Sequence, residues 1–210
     1  MSLVESNKYM LINQESVEEK PQAKRSLSWV WEVLLLVVLA LGGYYRYVGI
    51  DWAISYNLHP DERFFTWVET GIAPVSSVSE YFDTAKSTLN PNNRGFGFFV
   101  YGTLPLFIVQ YTGVALGKTG WGDFNIIGRE MSAGLDLLTV LIVYLIGNRL
   151  YKKAHLGLIA AAFYAFSVLP IQYSHYFLVD TFTNFFGMLA FYFRCTSKPQ
   201  SQVKWIMWEM

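Results

Sequence analysis

The sequence predicts an all-α integral membrane protein, and its composition and its long apolar runs are the two observations behind this. Of the 210 residues, 53% are hydrophobic and only 15% are charged, whereas soluble domains average about 25% charged residues. Residues 33–41 contain no polar side chain, as expected of a membrane span. The net charge of zero gives no indication of a nucleic-acid partner. The single cysteine, Cys195, excludes an internal disulfide.

The amino-terminal residues 1–26 are polar and predict a disordered cytoplasmic tail. The first apolar run, about 27–48, starts too late and continues too far for a cleaved signal peptide, so we interpret it as an uncleaved first span. Trp29 and Tyr44 lie near its two ends, where interfacial aromatic residues are expected.

Three further spans are predicted at about 130–146, 156–169 and 176–193. The third run closes at Pro170 and is shorter than the roughly 20 residues that a helix needs to cross a bilayer. Residues 195–210 would then form a second cytoplasmic tail.

The apolar segment 98–116 is broken by Gly102, Pro105 and Gly113, and charge decides its placement. If it crossed the membrane, Arg149, Lys152 and Lys153 would lie on the same side as the long acidic first loop. If it lies at the interface, they join the other basic residues inside, as the positive-inside rule prefers. We therefore predict an interfacial helix here, in an outer loop spanning 49–129.

A second interfacial helix is predicted at about 60–72 within the same loop. Pro60 suits the first turn of a helix, and apolar side chains recur at helical spacing at Phe64, Trp67 and Val68. Polar residues stand between them, so the segment is typical of an amphipathic helix on a membrane surface.

The most informative motif is His59-Pro60-Asp61-Glu62, directly after the first span. One interpretation is structural, because carboxylates stabilise the positive end of a helix. The other is chemical: Asp61 would act as a general base with Glu62 as a supporting carboxylate, at the surface where a lipid-linked donor meets its acceptor. The position after the first span favours chemistry.

Three further charged residues are candidates for function. Arg129 could grip a lipid phosphate with two N–H groups, or it could be an interfacial arginine that reaches towards water. Asp136 lies about two helical turns further on, and it could pair with Arg129 or work at the site; we favour the structural role. Asp180 is predicted to be catalytic, because a carboxylate at a membrane helix normally faces a cavity.

His59, His175 and Tyr101 complete the set of candidates. The two histidines could transfer protons, bind substrate or hold a metal, but they share no close ligand spacing, which is poor evidence for a metal site. A divalent metal is possible and its ligands are unknown. Tyr101 could stack on a sugar or an isoprenoid, or it could belong to the interfacial aromatic belt.

Several motifs in this order resemble the polyprenyl-phosphate-dependent glycosyltransferases of the GT-C superfamily. They are the His-Pro-Asp-Glu sequence, the run Phe98-Phe99-Val100-Tyr101-Gly102-Thr103-Leu104-Pro105-Leu106, the pair Gly128-Arg129, the apolar runs 137–147 and 160–167, and Val179-Asp180-Thr181-Phe182. Within the superfamily the chain is similar to the protein O-mannosyltransferases and the bacterial lipid A aminoarabinose transferases. The resemblance covers about residues 30–194.

The resemblance implies a GT-C-type transmembrane helix bundle with two surface-lying helices in the first outer loop. It implies that Asp61 is the catalytic residue, that Arg129 binds the donor phosphate, and that Asp180 is the aspartate at the head of the fourth span. The expected activity is transfer of a sugar, with inversion, from a polyprenyl-phosphate donor to an extracytoplasmic acceptor, which could be a protein, a lipid or a glycan. Some relatives bind a divalent metal.

Members of the superfamily continue with more spans, so we interpret these 210 residues as the amino-terminal part of such a transferase, or as a fragment without activity of its own. The alternative from another class is a non-enzymatic membrane module, such as part of a transporter or an assembly subunit. That alternative predicts polar residues lining a path deep within several spans. Asp61, Arg129 and Asp180 instead gather at the rim, which favours interfacial chemistry.

Overall fold

The computed structural model describes residues 28–54 and 56–197, which form helices and contain no β-strand. The predicted all-α architecture is therefore confirmed. In chain order the α-helices are α1 Ser28–Tyr47, α2 Pro60–Gly71, α3 Val78–Phe82, α4 Leu104–Leu116, α5 Trp121–Tyr151, α6 Ala154–Ala165, α7 Val168–Ser174 and α8 Val179–Ser197. A single 3₁₀ turn, Pro91–Arg94, lies between α3 and α4.

Helices α1 and α5 are each long and apolar enough to cross a membrane, and the bent pair α6–α7 passes the same test when taken together. Helix α8 falls outside this set, and α4 is a shorter apolar helix. The chain is thus an integral membrane protein, as predicted. The predicted tail 1–26 lies outside the described residues, and of the tail 195–210 only the last residues of α8 are described.

Two predicted spans have different shapes in the structure. The second begins at Trp121 rather than about 130, because Asp123 caps the helix by accepting the N–H of Gly120 at 3.0 Å. The third is not one helix: α6 and α7 meet at an angle of 59°. Pro170 has no backbone N–H with which to continue the hydrogen bonding of α6. The Ser167 hydroxyl donates to the carbonyl of Phe163 at 2.6 Å.

The two predicted interfacial helices also differ in detail. The helix predicted at 98–116 begins only at Leu104, with Pro105 in its first turn. Helix α2 lies close to its predicted position; of its apolar side chains Trp67 is exposed and Val68 is buried within the protein. The side chains that α2 buries are Glu62, Phe65, Thr66, Val68 and Glu69.

Glu69 is fully buried on this face, and neither of its carboxylate oxygens has a hydrogen-bond partner among the described residues. Burial disfavours the charged form and raises the pKa of Glu69 to about 9. Glu69 is consequently a neutral acid at physiological pH, which explains how α2 can bury it.

Helix α5 is the centre of the molecule and contacts α1, α2, α4, α6, α7 and α8. Two apolar clusters pack around it. One lies beneath the loop segments and includes Phe65, Leu106, Phe124 and Phe177. The other joins α1, α5 and α6, and its buried members are Val38, Val140, Tyr144, Leu158, Ala161 and Ala165.

Helices α5 and α6 approach closely at two glycines. A Cβ atom on Gly157 would lie 2.6 Å from the carbonyl oxygen of Tyr144, and one on Gly147 would lie 2.7 Å from the Cα of Gly157. Small residues at such contacts allow membrane helices to pack backbone against backbone. This contact fixes α6 against α5, and so determines where α7 and α8 lie beside the first loop.

We expect Gly157→Ala to destabilise the protein by about 1–3 kcal/mol, as overpacked cores do. The measurement is the thermal midpoint of the purified protein in detergent. Gly187→Ala is the matched control, because a Cβ there has no neighbour within 4 Å. Both substitutions replace a helical glycine by alanine and so raise helix propensity equally. Equal midpoints for the two variants would contradict the close contact.

Candidate active site around Asp61

Asp61 lies in the first turn of α2, where its position is set by its neighbours in sequence. His59 is the N-cap residue, and its Nδ1 accepts the backbone N–H of Asp61 at 3.3 Å. Pro60 occupies the first helical position, where its missing N–H costs nothing. The motif therefore folds as a helix cap that leaves the Asp61 side chain partly exposed.

Tyr101 donates its hydroxyl to Oδ1 of Asp61 at 2.9 Å. The pKa of Tyr101 is raised, chiefly by this hydrogen bond, with further contributions from burial and from the charges of Asp61 and Asp180. Tyr101 is thus a neutral donor that holds one oxygen of the Asp61 carboxylate, and Asp180 lies close enough to act on it. The Tyr101 ring packs against Phe65, with ring centres 5.0 Å apart.

Glu62, the next residue, points towards α5 and is buried in an ion pair. Its two oxygens accept Nε and Nη2 of Arg129 at 2.7 and 2.8 Å, and Oε1 also accepts the backbone N–H of Phe177 at 2.9 Å. The side chains of Glu62 and Arg129 are 0% and 1% exposed. Arg129 therefore does not reach towards water, and the interpretation as an interfacial arginine is wrong.

Arg129 also donates Nη1 to the carbonyls of Ile50 and Trp52, at 2.9 and 2.8 Å. Four of its five N–H groups are thus bound within the protein. This arginine joins the loop that follows α1 to the first turn of α2, and so fixes the segment that carries Asp61.

The two histidines have different surroundings. The His59 ring lies 5.1 Å from that of Tyr176 and 6.4 Å from that of Tyr173, beside Asp61. His175 places Nδ1 2.8 Å from the carbonyl oxygen of Ile171 and Nε2 3.1 Å from that of Val48, so it links α7 to the end of α1. Among the described residues, no three His, Cys, Asp or Glu side chains are grouped as a metal would require.

Asp180 is exposed at the start of α8 and lines a cavity of about 450 Å³. The other lining residues are Asp136, Tyr164, Leu169, Pro170, Tyr173, Thr181, Thr183 and Asn184. The structure therefore brings Asp61, Tyr101, His59 and Asp180 into one region, and His175 lines a different cavity with Val48, Trp52 and Tyr176.

Asp136 pairs with Arg46 rather than with Arg129, so that suggested pairing is wrong. Nε of Arg46 lies 2.7 Å from Oδ2 of Asp136, and both side chains are buried. Tyr164 donates its hydroxyl to Oδ1 of Asp136 at 2.6 Å, and Asn184 donates Nδ2 to the Tyr164 oxygen at 2.7 Å. Arg46, Tyr164 and Asn184 are not among the residues predicted from the sequence to act at the site. Lone opposite charges in two neighbouring spans are the signal that could have found Arg46.

A helical membrane bundle with exposed carboxylates at one end is the architecture expected of a lipid-dependent membrane glycosyltransferase. The chain is a member of the family described as dolichyl-phosphate-mannose-protein mannosyltransferase, whose model matches residues 97–210, more than half of its length. The resemblance to the GT-C glycosyltransferases is thereby confirmed. No curated protein and no solved structure matched the chain.

Proposed function

We propose that this chain transfers a mannosyl unit from a polyprenyl-phosphate donor to a hydroxyl group of a protein acceptor, with inversion at the sugar carbon. Family membership supports the donor and the acceptor class. The observation that carries the proposal for this chain is the partly exposed Asp61 carboxylate, held by Tyr101 at 2.9 Å beside Asp180.

In the proposed reaction Asp61 takes the proton of the acceptor hydroxyl as its oxygen attacks C1 of the sugar. The bond between C1 and the phosphate oxygen breaks, and its electron pair leaves with the polyprenyl phosphate. Attack opposite the leaving group inverts C1. The Tyr101 hydroxyl donates to Oδ1 of Asp61, whereas Oδ2 accepts no hydrogen bond from the described residues. We therefore propose that Oδ2 takes the proton of the acceptor hydroxyl.

The remaining predicted roles follow from the contacts. We propose that Glu62 positions the Asp61 segment through Arg129 and does not touch the reacting atoms, because it is fully buried. Phosphate binding by Arg129 stays a prediction; its contacts support a positioning role first. We propose that the exposed Asp180 carboxylate accepts hydrogen bonds from hydroxyl groups of a substrate in the cavity.

We also propose that this site is extracytoplasmic and that the amino terminus is cytoplasmic. Arg129 and Arg149 are 20 residues apart on α5, which is about 30 Å along a helix and equal to the bilayer core. Arg149, Lys152 and Lys153 follow at the end of α5 away from Asp61. By the positive-inside rule that end is the cytoplasmic one.

The experiment uses membranes from cells that produce the protein and from cells in which the gene is deleted. We expect gene-dependent transfer of labelled mannose from dolichyl-phosphate mannose to a peptide rich in serine and threonine. The product, digested with anomer-specific mannosidases, should have the anomeric configuration opposite to that of the donor. Absence of gene-dependent transfer would overturn the proposal, and retention of configuration would overturn the single displacement.

A further inference from the structure

The 450 Å³ cavity beside Asp180 has the size and chemistry of a small-molecule site. Its accessible polar groups are the Asp180 carboxylate, the Asn184 carboxamide and hydroxyls, whereas the Asp136 carboxylate is already bound by Arg46 and Tyr164. Leu169, Pro170 and Tyr173 supply apolar surface. No lysine, arginine or histidine is among the lining residues within the described chain. The lining therefore suits an uncharged ligand rather than a phosphate.

A pyranose ring fits this combination of groups. Its hydroxyls both donate and accept hydrogen bonds, and carboxylates and carboxamides are the side chains that can answer several of them at once. Its C–H faces are apolar, and an amphipathic aromatic ring such as that of Tyr173 can cover one of them.

Asn184 is held in a fixed orientation at this cavity. The Tyr164 hydroxyl gives its one proton to Asp136, so its oxygen accepts Nδ2 of Asn184 at 2.7 Å. Asp136 is itself fixed by Arg46, which also donates to the carbonyls of Gly42 and Ala165, both at 3.0 Å. A buried ion pair thus sets the direction of an exposed carboxamide.

The second N–H and the oxygen of this carboxamide have no partner among the described residues. They remain available to a ligand in the cavity. A preorganised donor–acceptor pair costs little to order when a ligand binds.

The cavity also adjoins the proposed catalytic carboxylate. Asp180 and Asn184 are four residues apart on α8, so their side chains lie on the same face. Tyr173, which lines the cavity, packs against the His59 ring with ring centres 6.4 Å apart, and His59 accepts the backbone N–H of Asp61. A sugar in the cavity would therefore lie next to the proposed base.

We propose that this cavity binds the hexosyl unit of the lipid-linked donor and that Asn184 determines which sugar is accepted. The inference rests on the proposed function and assigns its sugar subsite. A donor–acceptor pair held in one orientation discriminates against an epimer, because the displaced hydroxyl of the epimer no longer meets that pair.

The test is Asn184→Ala, assayed with dolichyl-phosphate mannose and dolichyl-phosphate glucose in membranes that carry the protein. We expect the KM for the mannosyl donor to rise about tenfold, as for the loss of one or two hydrogen bonds, and the preference for mannose over glucose to fall. The KM for the acceptor peptide should not change. Asn92→Ala, at an exposed asparagine of the 3₁₀ turn, is the matched control.

Asn184→Asp keeps the side-chain size and removes both N–H donors, so it tests the same contact if the alanine variant is poorly produced. An unchanged donor KM and sugar preference would overturn the inference. A rise in the peptide KM alone would also overturn it, because the cavity would then belong to the acceptor. In both cases wild-type transfer in the same assay leaves the proposed function standing, so the two failures are distinguishable.

Discussion

Asp61→Asn is expected to lower kcat for mannosyl transfer by about 10²–10⁴-fold, the range that a positioned general base contributes. The amide cannot take the acceptor proton, but its oxygen can still accept the Tyr101 hydroxyl that now lies 2.9 Å from Oδ1. The cap of α2 is also unaffected, because it uses the backbone N–H of residue 61. Membrane insertion and the donor KM should therefore stay close to the wild-type values.

The measurement is initial transfer rate at saturating donor, normalised to the amount of inserted protein. Asp83→Asn is the matched control, since Asp83 is a carboxylate outside the site, 42% exposed, that pairs with the Lys86 ammonium at 4.0 Å. A normal rate for Asp61→Asn would remove Asp61 as the base. A loss of inserted protein in that variant would instead assign Asp61 to the structural role that a helix-start carboxylate can have.

Asp61 and Glu62 show what the sequence could and could not predict about the site. The motif after the first span correctly indicated where a cap and a pair of carboxylates would lie. Consecutive residues on a helix point about 100° apart, so one carboxylate stays partly exposed while the other is buried against α5. Which side chains of α2 are buried depends on the helix that packs against it. The sequence of α2 alone does not identify that helix.

Which partner each buried charge takes was not predicted for the same reason, although lone opposite charges in neighbouring spans signal that a pair exists. Glu62 and Arg129 are 67 residues apart, and Arg46 and Asp136 are 90 apart. Amino-acid patterns determine which face of one helix is apolar, whereas tertiary packing decides which charges meet. The all-α membrane architecture was predictable because burial of backbone groups in lipid leaves few alternatives.

Glu62→Gln is expected to cost about 3–5 kcal/mol of stability, because it leaves the Arg129 guanidinium buried without a counter-charge. Arg129 is 1% exposed and cannot recover by hydration without opening the α2–α5 contact. The measurement is the thermal midpoint in detergent, together with the amount of protein in the membrane. Asp83→Asn again provides the comparison, because an exposed pair is worth at most about 1 kcal/mol.

The double variant Glu62→Leu/Arg129→Met separates stability from function. Replacing both partners of a buried pair by apolar residues removes the unpaired charge and should restore most of the lost stability. Transfer should remain low, since the carbonyls of Ile50 and Trp52 lose the donors that hold them at 2.9 and 2.8 Å and the Asp61 segment is no longer fixed. A double variant as unstable as Glu62→Gln would contradict the ion-pair argument. One that is stable and fully active would show that neither the pair nor a phosphate contact by Arg129 is needed, because both depend on the same guanidinium.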